Sequence, residues 1–342
     1  MSAIKQSILV VGGNGFLGSA VCRRALAKGL DVTSISSSGQ PFRTPKGHVP
    51  GWTNKVKWHA ASALEPSSYA PLLNGKTAVV HTLGVLLEGG YKNSLKEGDI
   101  LSLGSSFVRN FGLESGNPLT RGKPGEYEVI NRDSALRVFE TYQAAAPPEN
   151  AGKTFVYVSA EDVFRPFVPK RYIETKRQAE DEISRVCGEI SPPGSLRDVF
   201  IRPGLMYHPH LRPLTTPLAV LLDISSRLHH KPPLGLYGIL PSSILRSIAS
   251  RPQGGPNFTS PQGPSSPTPA PAADMSSLES LANLLEVPPI HVDQVADAIV
   301  EVIRNRPDVS GPVGVEAMRN IIGWRREGEE DPRPTKEQPA TL

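Results

Sequence analysis

Hydrophobic and polar positions follow two different periods near the start of the chain. Residues 7–11 form a short apolar run that ends in glycines, which is typical of a buried strand. The next segment repeats apolar positions at helical spacing, at Leu17, Val21 and Ala25, and Gly29 ends the repeat. The pattern therefore predicts a strand, a tight turn and a helix.

Similar patterns recur as far as residue 203 and predict an alternation of strands and helices. Such alternation is typical of a parallel sheet covered by helices on both faces. The fold class expected is α/β, a Rossmann-like doubly wound parallel sheet. Further strands are predicted at 31–36, 55–59, 78–82, 155–159 and 199–203, and further helices at 129–142, 172–186 and 292–304.

Composition divides the chain into four parts. Residues 1–204 are predicted to form the Rossmann domain, with a long loop at 88–125. Residues 205–250 and 275–323 are predicted to form a smaller, irregular C-terminal substrate or cap region, with the late helix near 292–304 packing on the Rossmann core. Residues 251–274 hold seven of the 34 prolines and one aromatic residue, so they are predicted to be a disordered insertion. The charged tail at 324–342 is predicted to be mobile.

Charge and cysteine content argue against several classes of function. The net charge is only +4, and the lysines and arginines are scattered, so nucleic-acid binding is not indicated. Cys22 and Cys187 form no metal-binding spacing, and no metal is predicted. No apolar run approaches the roughly 18 residues of a membrane span. The first strand begins near Ser7, which leaves no room ahead of it for a conventional transit peptide.

The glycine turn, residues 12–18, carries the first candidate chemistry. Gly13, Gly15 and Gly18 satisfy G-x-G-x-x-G, and Gly12 gives an overlapping frame with the last two. Glycines let the backbone turn tightly and approach a pyrophosphate, whose charge is stabilised by the free N–H groups at the helix start. The motif is weak in isolation, but here a strand precedes it and a helix follows it. The sequence therefore predicts a dinucleotide site.

The choice between NAD and NADP depends on the end of the second strand. An NAD site usually places an acid there to hold the ribose diol. Residues 33–38 contain no acid, and Asp31 lies at the opposite end of that strand. The hydroxyls of Ser36 and Ser38, with Arg43 nearby, slightly favour NADP.

Tyr172 and Lys176 are four residues apart and so lie on one face of a predicted helix. A nearby cation favours the phenolate and lowers the pKa of a tyrosine, which allows proton exchange with an alcohol or a carbonyl. A solvated surface pair is the commoner reading of this spacing alone. However, the pair follows the fifth strand, whose end carries Ser159, a possible hydrogen-bond donor to a substrate oxygen.

Together these motifs resemble the short-chain dehydrogenase/reductase superfamily, in particular its extended and atypical branches. The resemblance implies that Tyr172 is the general acid/base, that Lys176 binds the nicotinamide ribose and tunes the tyrosine, and that Ser159 is the third catalytic residue. It also implies a role for the helix residue Asn131. The cofactor-binding residues expected from the motifs and the resemblance are Gly12, Gly13, Asn14, Gly15, Phe16, Leu17, Gly18, Ser36, Ser38, Arg43, Thr82, Gly84, Lys176 and Pro203.

A narrower resemblance comes from residues 12–17 and 172–180, which are similar to those of fungal mitochondrial proteins of coenzyme Q biosynthesis. Those proteins are similar to the NAD(P)H-binding accessory subunit of respiratory complex I. The resemblance implies a peripheral protein on the matrix side of the mitochondrial inner membrane. It also implies a hydrophobic or quinone-related substrate and association with a coenzyme Q biosynthesis assembly.

Three functions remain open from the sequence. The first is an NAD(P)-dependent oxidoreductase, and the second is a non-catalytic subunit in which bound NADP(H) stabilises the fold. The third is a membrane-surface module, suggested by the apolar run at 218–222 and the basic residues after it, Arg227, His229, His230 and Lys231. For that run, a core helix with a solvated edge is the simpler interpretation.

Overall fold

The computed structural model describes residues 6–84, 127–148, 152–163, 165, 170–190, 194–230, 240–249 and 277–324. The predicted loop at 88–125 and the predicted insertion at 251–274 lie outside these ranges. The predicted tail does too, apart from Trp324.

Seven strands form one parallel sheet, which confirms the predicted Rossmann-like α/β class. Their order across the sheet is β3-β2-β1-β4-β5-β6-β9, so the direction of winding reverses between β1 and β4. In such sheets the ligand-binding crevice opens at the carboxyl ends of the strands on either side of the reversal. The strands are β1 (Ser7–Val11), β2 (Asp31–Ser36), β3 (Lys57–Ala60), β4 (Ala78–His81), β5 (Lys153–Val158), β6 (Leu196–Ile201) and β9 (Gly311–Val313).

Helices cover both faces of the sheet. Alternate residues of β1 explain how: Ile8 and Val10 pack on the side of α1 and α8, whereas Leu9 and Val11 pack on the side of α3 and α4. A π-helical segment, Glu128–Asp133, leads directly into α3. The helices are α1 (Phe16–Ala27), α2 (Ala70–Leu73), α3 (Ser134–Ala144), α4 (Lys170–Glu189), α5 (Thr215–His230), α6 (Pro241–Ala249), α7 (Ser277–Glu286), α8 (Val292–Asn305) and α9 (Val315–Ile321).

The last part of the chain returns to the dinucleotide-binding half of the molecule. Helix α8 packs against α1, and β9 extends the sheet beside β6. A second, two-stranded sheet pairs β7 (Met206–Tyr207) with β8 (Ile290–His291) and joins the segment after β6 to the start of α8. Residues 290–321 are therefore part of the Rossmann core. Residues 205–230, 240–249 and 277–286 form the smaller region beside it.

Two strands begin earlier than the apolar pattern predicts, because polar residues near their starts bind nearby helix ends. Lys153 opens β5, and its ammonium donates to the carbonyl of Tyr142 at 2.9 Å, near the end of α3. Arg197 lies in β6 and donates to carbonyls that include Val302, near the end of α8. Cations in these places bind backbone carbonyls left unpaired by the helices. No helix among the described residues is long and apolar enough to cross a membrane.

Candidate functional site

The glycine turn connects β1 to α1 through a left-handed residue. Gly12 has φ of 83°, and its N–H donates to the Ile35 carbonyl at 2.8 Å. The Gly15 N–H then donates to the Gly12 carbonyl at 2.9 Å, which closes the turn. The first bond of the helix follows, from the Ser19 N–H to the Gly15 carbonyl at 3.0 Å. The turn therefore brings the start of α1 to the carboxyl edge of the sheet.

The absence of side chains is a packing requirement at two of these glycines. A Cβ on Gly13 would lie 2.2 Å from the Ser34 hydroxyl oxygen and 2.9 Å from the Cys22 sulfur. A Cβ on Gly18 would lie 2.2 Å from the Gly12 carbonyl oxygen. Both distances are far below van der Waals contact, so the strand, the turn and the helix can pack only as closely as glycine allows.

The start of α1 suits a bound anion. No side chain caps the helix, its first turn holds no acidic residue, and Phe16, Leu17 and Gly18 are its first three residues. Their N–H groups come before the first intrahelical bond, and they point out of the helix with the positive end of its dipole. Together with the glycine turn, they form a cradle of N–H groups suited to the negative charge of a dinucleotide pyrophosphate.

The adenosine side of the cradle is formed by short polar side chains. The Asn14 amide donates to the Ser38 hydroxyl at 3.2 Å, and the Ser36 hydroxyl accepts from the Gly39 N–H at 3.2 Å. Asp31 lies at the far end of β2, where its carboxylate binds the Lys57 ammonium at 3.0 Å. The exposed Arg43 donates at 3.5 Å to the carbonyl of Gly47, within its own loop.

The nicotinamide side is built around the end of β4. The Thr82 hydroxyl donates to the Val11 carbonyl at 2.7 Å and so joins β4 to the end of β1. Gly84 lies where a Cβ would be 3.0 Å from the Lys176 ammonium and 3.5 Å from the Asn131 amide oxygen. The fold therefore brings Gly84, Lys176 and Asn131 together from three separate elements.

Lys176 is almost fully buried, at 2% exposure. Its ammonium donates to the Val158 carbonyl at 2.9 Å and lies 4.8 Å from the centre of the Tyr157 ring. Burial lowers the pKa of Lys176 to about 7, and the nearby Glu180 carboxylate opposes that shift. The side chain therefore exchanges its proton near neutral pH.

Tyr172 lies one turn before Lys176 and is partly buried among apolar side chains. Its ring meets the edge of the Tyr127 ring at 6.1 Å between centroids, and it also packs against Ile130. Burial raises the pKa of Tyr172 to about 12, with the Arg177 guanidinium opposing the rise. The direction is opposite to the one expected from the sequence, because Lys176 turns towards Val158 and burial is the larger effect.

Ser159 follows β5 and is also buried. Its N–H donates to the Ile201 carbonyl at 2.8 Å, and its hydroxyl accepts a hydrogen bond from Arg177 at 3.0 Å. Pro203, another predicted site residue, is buried after β6, and its carbonyl accepts from the Glu161 N–H at 3.0 Å. The ends of β5 and β6 are thus tied together beside the site.

An ionic cluster holds Arg177, the residue that binds the Ser159 hydroxyl. The buried Glu180 carboxylate pairs with Arg177 at 2.6 Å and also with Arg202, which follows β6. The second Arg177 nitrogen donates to the Ala160 carbonyl at 2.9 Å. The sequence patterns did not predict this cluster. Its one local signal is the i, i+3 spacing of Arg177 and Glu180 on α4.

A second missed residue is Arg212, which lies beside the glycine turn. Its guanidinium carbon is 3.9 Å from the centre of the Phe16 ring. No motif marks Arg212, because it reaches the turn only through the fold. Among the described residues, no group of three or more His, Cys, Asp or Glu side chains is placed to hold a metal ion.

The glycine cradle, the Lys176 site and the doubly wound sheet define a dinucleotide-binding Rossmann protein of the short-chain dehydrogenase/reductase type. More particularly, residues 8–240 match the NAD dependent epimerase/dehydratase family, and the chain belongs to that family. The resemblance to the short-chain dehydrogenase/reductase superfamily is thereby confirmed, and so is the expectation of a nicotinamide dinucleotide as cofactor.

Two individual proteins are similar to this chain in sequence. MIOREX complex component 2 of Saccharomyces cerevisiae is 35% identical over 212 residues, which are 59% of this chain and 73% of the yeast protein. An uncharacterised chloroplastic protein of Arabidopsis thaliana is 37% identical over 79 residues, and the match spans 23% of this chain and 25% of that protein.

A solved structure shows the same fold. An oxidoreductase of the short-chain dehydrogenase/reductase family from Burkholderia thailandensis aligns with a TM-score of 0.50 and 11% identity. The alignment covers 92% of this chain and 93% of that one.

Proposed function

We propose that this protein is an NAD(P)-dependent oxidoreductase that reduces a hydrophobic, quinone-related carbonyl compound. The observation that carries the proposal is the meeting of Gly84, Asn131 and Lys176 at the crevice, next to the glycine cradle. The bound dinucleotide would supply a hydride, and the protein side chains would orient the reactants and deliver the proton.

The protonation state of Tyr172 suits the role of proton donor in a reduction. With a pKa of about 12, the phenol keeps its proton at neutral pH, so it is ready to donate to a carbonyl oxygen. Ser159 accepts its bond from Arg177, which leaves the serine proton available for the same oxygen. Lys176 would contact the nicotinamide ribose at the position next to Gly84.

Apolar side chains around Tyr172 support a hydrophobic substrate. Tyr172 packs both on the cluster of Tyr127 and Ile130 and on a second cluster that includes Leu205 and Leu222. The flat ring of a substrate bound next to Tyr172 would therefore be surrounded mainly by apolar groups, as is usual in small-molecule sites.

We further propose NADPH as the preferred cofactor. Support comes from the Asn14 and Ser38 pair, which presents an amide and a hydroxyl where an NAD site would present a carboxylate. Asp31 is held by Lys57 at the opposite end of the strand. A 2′-phosphate would meet no negative charge among the described residues at the end of β2.

The test is NADPH oxidation in the presence of a short-chain ubiquinone, followed by the loss of nicotinamide absorbance. We expect Tyr172→Phe to abolish turnover while the Kd for NADPH stays within about twofold, because the phenol acts on the substrate. Arg185→Gln, on the exposed face of the same helix, is the control and should keep full activity. Equal activity in Tyr172→Phe and the wild type would overturn the catalytic role.

A second candidate function is that of a non-catalytic subunit of an assembly. Several large apolar side chains of α5, of α6 and of the residue before α5 are exposed; together they are called the α5–α6 face, and they favour it. Leu221 is 66% exposed and Leu228 is 47% exposed. Isolated exposed apolar residues are common on protein surfaces, whereas several on neighbouring helices indicate an interaction site. The members of the α5–α6 face are Leu214, Val220, Leu221, Ile224, Leu228, Ile244 and Ile248.

Charges beside this face favour a protein partner over an anionic membrane. Arg227 pairs with Asp223 at 2.8 Å, and Arg246 pairs with Glu286, so these cations are already neutralised. An apolar surface rimmed by matched charges resembles the core and rim of a protein interface. The yeast relative is, by its name, a component of a complex.

A double variant, Leu221→Ser with Ile224→Ser, separates the two candidate functions. We expect it to release the protein from its assembly in sedimentation profiles of cell extracts, while NADPH binding stays unchanged. Flotation of the wild type with anionic lipid vesicles that is lost in the variant would instead assign the face to a membrane. Unchanged sedimentation and flotation would leave the face without a docking role.

We also propose a mitochondrial location and a role in coenzyme Q biosynthesis, both supported by the resemblance of residues 12–17 and 172–180. Fractionation of cells that carry an epitope-tagged protein tests the first. Coenzyme Q content after deletion, with rescue by the wild type and by Tyr172→Phe, tests the second. Rescue by both would favour the non-catalytic subunit.

A further inference from the structure

The Arg212 guanidinium lies at the glycine turn and pairs with no acidic residue among those that the structure describes. Its carbon is 3.9 Å from the centre of the Phe16 ring, and Phe16 is the first residue of α1. No ion pair joins Arg212 to any carboxylate in the described part of the chain. The nearest elements are poor in free acids, because the first turn of α1 has none and Asp293 is bound by Arg23.

Hydrogen bonds fix the backbone of the turn that carries Arg212. The Arg212 N–H donates to the His208 carbonyl at 2.9 Å, and its own carbonyl accepts from the Thr215 N–H at 3.1 Å and hydroxyl at 2.6 Å. The His208 ring lies 4.9 Å from the His291 ring, at the start of α8. Since α8 packs on α1, the turn at 208–212 is fixed relative to the glycine cradle.

An unpaired, partly buried arginine is unfavourable unless a ligand compensates it. Moving a charge out of water costs free energy that only a partner charge or several hydrogen bonds can offset. Burial lowers the pKa of Arg212 to about 10, and no acid opposes this shift. The missing counter-charge is therefore expected from outside the described residues.

We propose that Arg212, stacked on Phe16 beside the glycine turn, lines the cofactor site at the start of α1 and binds the diphosphate of the dinucleotide. The helix start would hold one side of the diphosphate with N–H groups, and the guanidinium fork would hold the other. Arginine is suited to this because its planar donors match phosphate oxygens in pairs. The proposal rests on the proposed function only in requiring that a dinucleotide binds.

The Phe16 ring has a part in this arrangement. A guanidinium stacked on an aromatic face keeps its N–H donors in the plane, directed past the ring edge. Because Phe16 begins α1, those donors are carried to the same end of the helix as the free backbone N–H groups.

Titration with NADPH and with ADP-ribose tests the assignment. ADP-ribose keeps the diphosphate and lacks the nicotinamide. We expect Arg212→Gln to weaken both ligands by the same factor, about 10-fold to 100-fold, as for the loss of a charge-assisted hydrogen bond. Arg227→Gln is the matched control on the neighbouring helix and should leave both Kd values unchanged.

Stability of the ligand-free protein distinguishes a ligand contact from a structural role. Since no described acidic residue pairs with Arg212, Arg212→Gln should leave the ligand-free Tm unchanged or raise it, while the increase in Tm on adding NADPH becomes smaller. A merely structural arginine would lower the ligand-free Tm. Arg212→Lys should keep part of the affinity.

The outcomes separate the two proposals. If the wild type binds neither NADPH nor ADP-ribose, the proposed function fails. If the wild type binds both and Arg212→Gln binds them equally well, this assignment alone is overturned. If Arg212→Gln weakens NADPH but not ADP-ribose, the guanidinium binds a part of NADPH that ADP-ribose lacks, the nicotinamide or the 2′-phosphate, and the diphosphate role is wrong.

Discussion

The Arg177 guanidinium donates to the Ser159 hydroxyl, with 3.0 Å between Nη1 and Oγ, although the two residues belong to different elements. Arg177 is itself held by the buried Glu180, which also binds Arg202. Ser159 is thus bound directly by Arg177, and Arg177 is in turn held by the ion pairs of Glu180. The stability of that cluster should affect the whole carboxyl edge of the sheet.

Replacement of Glu180 tests the cluster. Glu180→Gln leaves two partly buried arginines without their carboxylate, and we expect it to lower the free energy of unfolding by roughly 3 kcal/mol. Glu182→Gln, two residues away on the exposed face of the same helix, removes only a surface pair with Arg185 and should have no measurable effect. Urea unfolding at neutral pH measures both. Similar losses in the two variants would contradict the buried role of Glu180.

A pair of glycine substitutions tests the cradle. In Gly18→Ala the new Cβ would lie 2.2 Å from the Gly12 carbonyl oxygen, so we expect destabilisation of about 2 kcal/mol or more and weaker NADPH binding. In Gly188→Ala, on α4, the new Cβ meets no atom within 4 Å. That substitution should stabilise the helix by up to about 1 kcal/mol. Chemical unfolding with and without NADPH measures the loss of stability in Gly18→Ala and the gain in Gly188→Ala. A Gly18→Ala protein as stable as the wild type would contradict the close packing of Gly18 on the Gly12 carbonyl.

Lys176 should make stability depend on pH above neutrality. Its pKa falls from 10.5 to about 7 in the folded protein. Between these values the unfolded chain binds the extra proton, so stability rises with pH by up to about 1.4 kcal/mol per pH unit. Below about pH 7 Lys176 is protonated in both the folded and the unfolded protein, so the full destabilisation from burying its charge remains.

Unfolding of the wild type and of Lys176→Met between about pH 7 and pH 9 isolates this contribution, because tyrosine ionisation begins only near pH 10. The wild type should gain stability relative to the variant across this range. Parallel curves for the two proteins would show that Lys176 keeps an ordinary pKa.

Burial of His81 should make the stability of the protein depend on pH in the acid range. It is fully buried at the end of β4, with Nε2 bonded to Ser134 at 3.0 Å and Nδ1 without a partner in the described part of the protein. Burial, together with the Lys176 charge, lowers its pKa from 6.5 to about 3. Protonation of the unfolded chain therefore removes stability as the pH falls below 6.5, by about 2 kcal/mol at pH 5.

His81→Leu should lose this part of the acid sensitivity. Ser134 keeps its bond to the Ile130 carbonyl at 2.6 Å, so the variant leaves no new unpaired hydroxyl. Urea unfolding at pH 7.5 and pH 5 compares the two proteins. An equal loss of stability on acidification in both would contradict a buried neutral histidine.

Local patterns were sufficient for most of the sheet. The apolar runs at β1, β2 and β4 and the helical repeat of α1 were predicted correctly because each is periodic within its own segment. Strand β9 was missed, since three residues with a central proline carry no period. The starts of β5 and β6 were missed because their first residues are polar and are satisfied by helices distant in sequence.

The sequence by itself determined the glycine turn and the spacing of Tyr172 and Lys176, because both are set by backbone geometry within a few residues. Only the tertiary structure decided what those side chains contact. Lys176 turns to Val158, Ser159 is held by Arg177, and Arg212 reaches Phe16. Contacts of this kind join residues far apart in the chain. The same burial that creates them also raises the pKa of Tyr172, which the spacing alone predicted to fall.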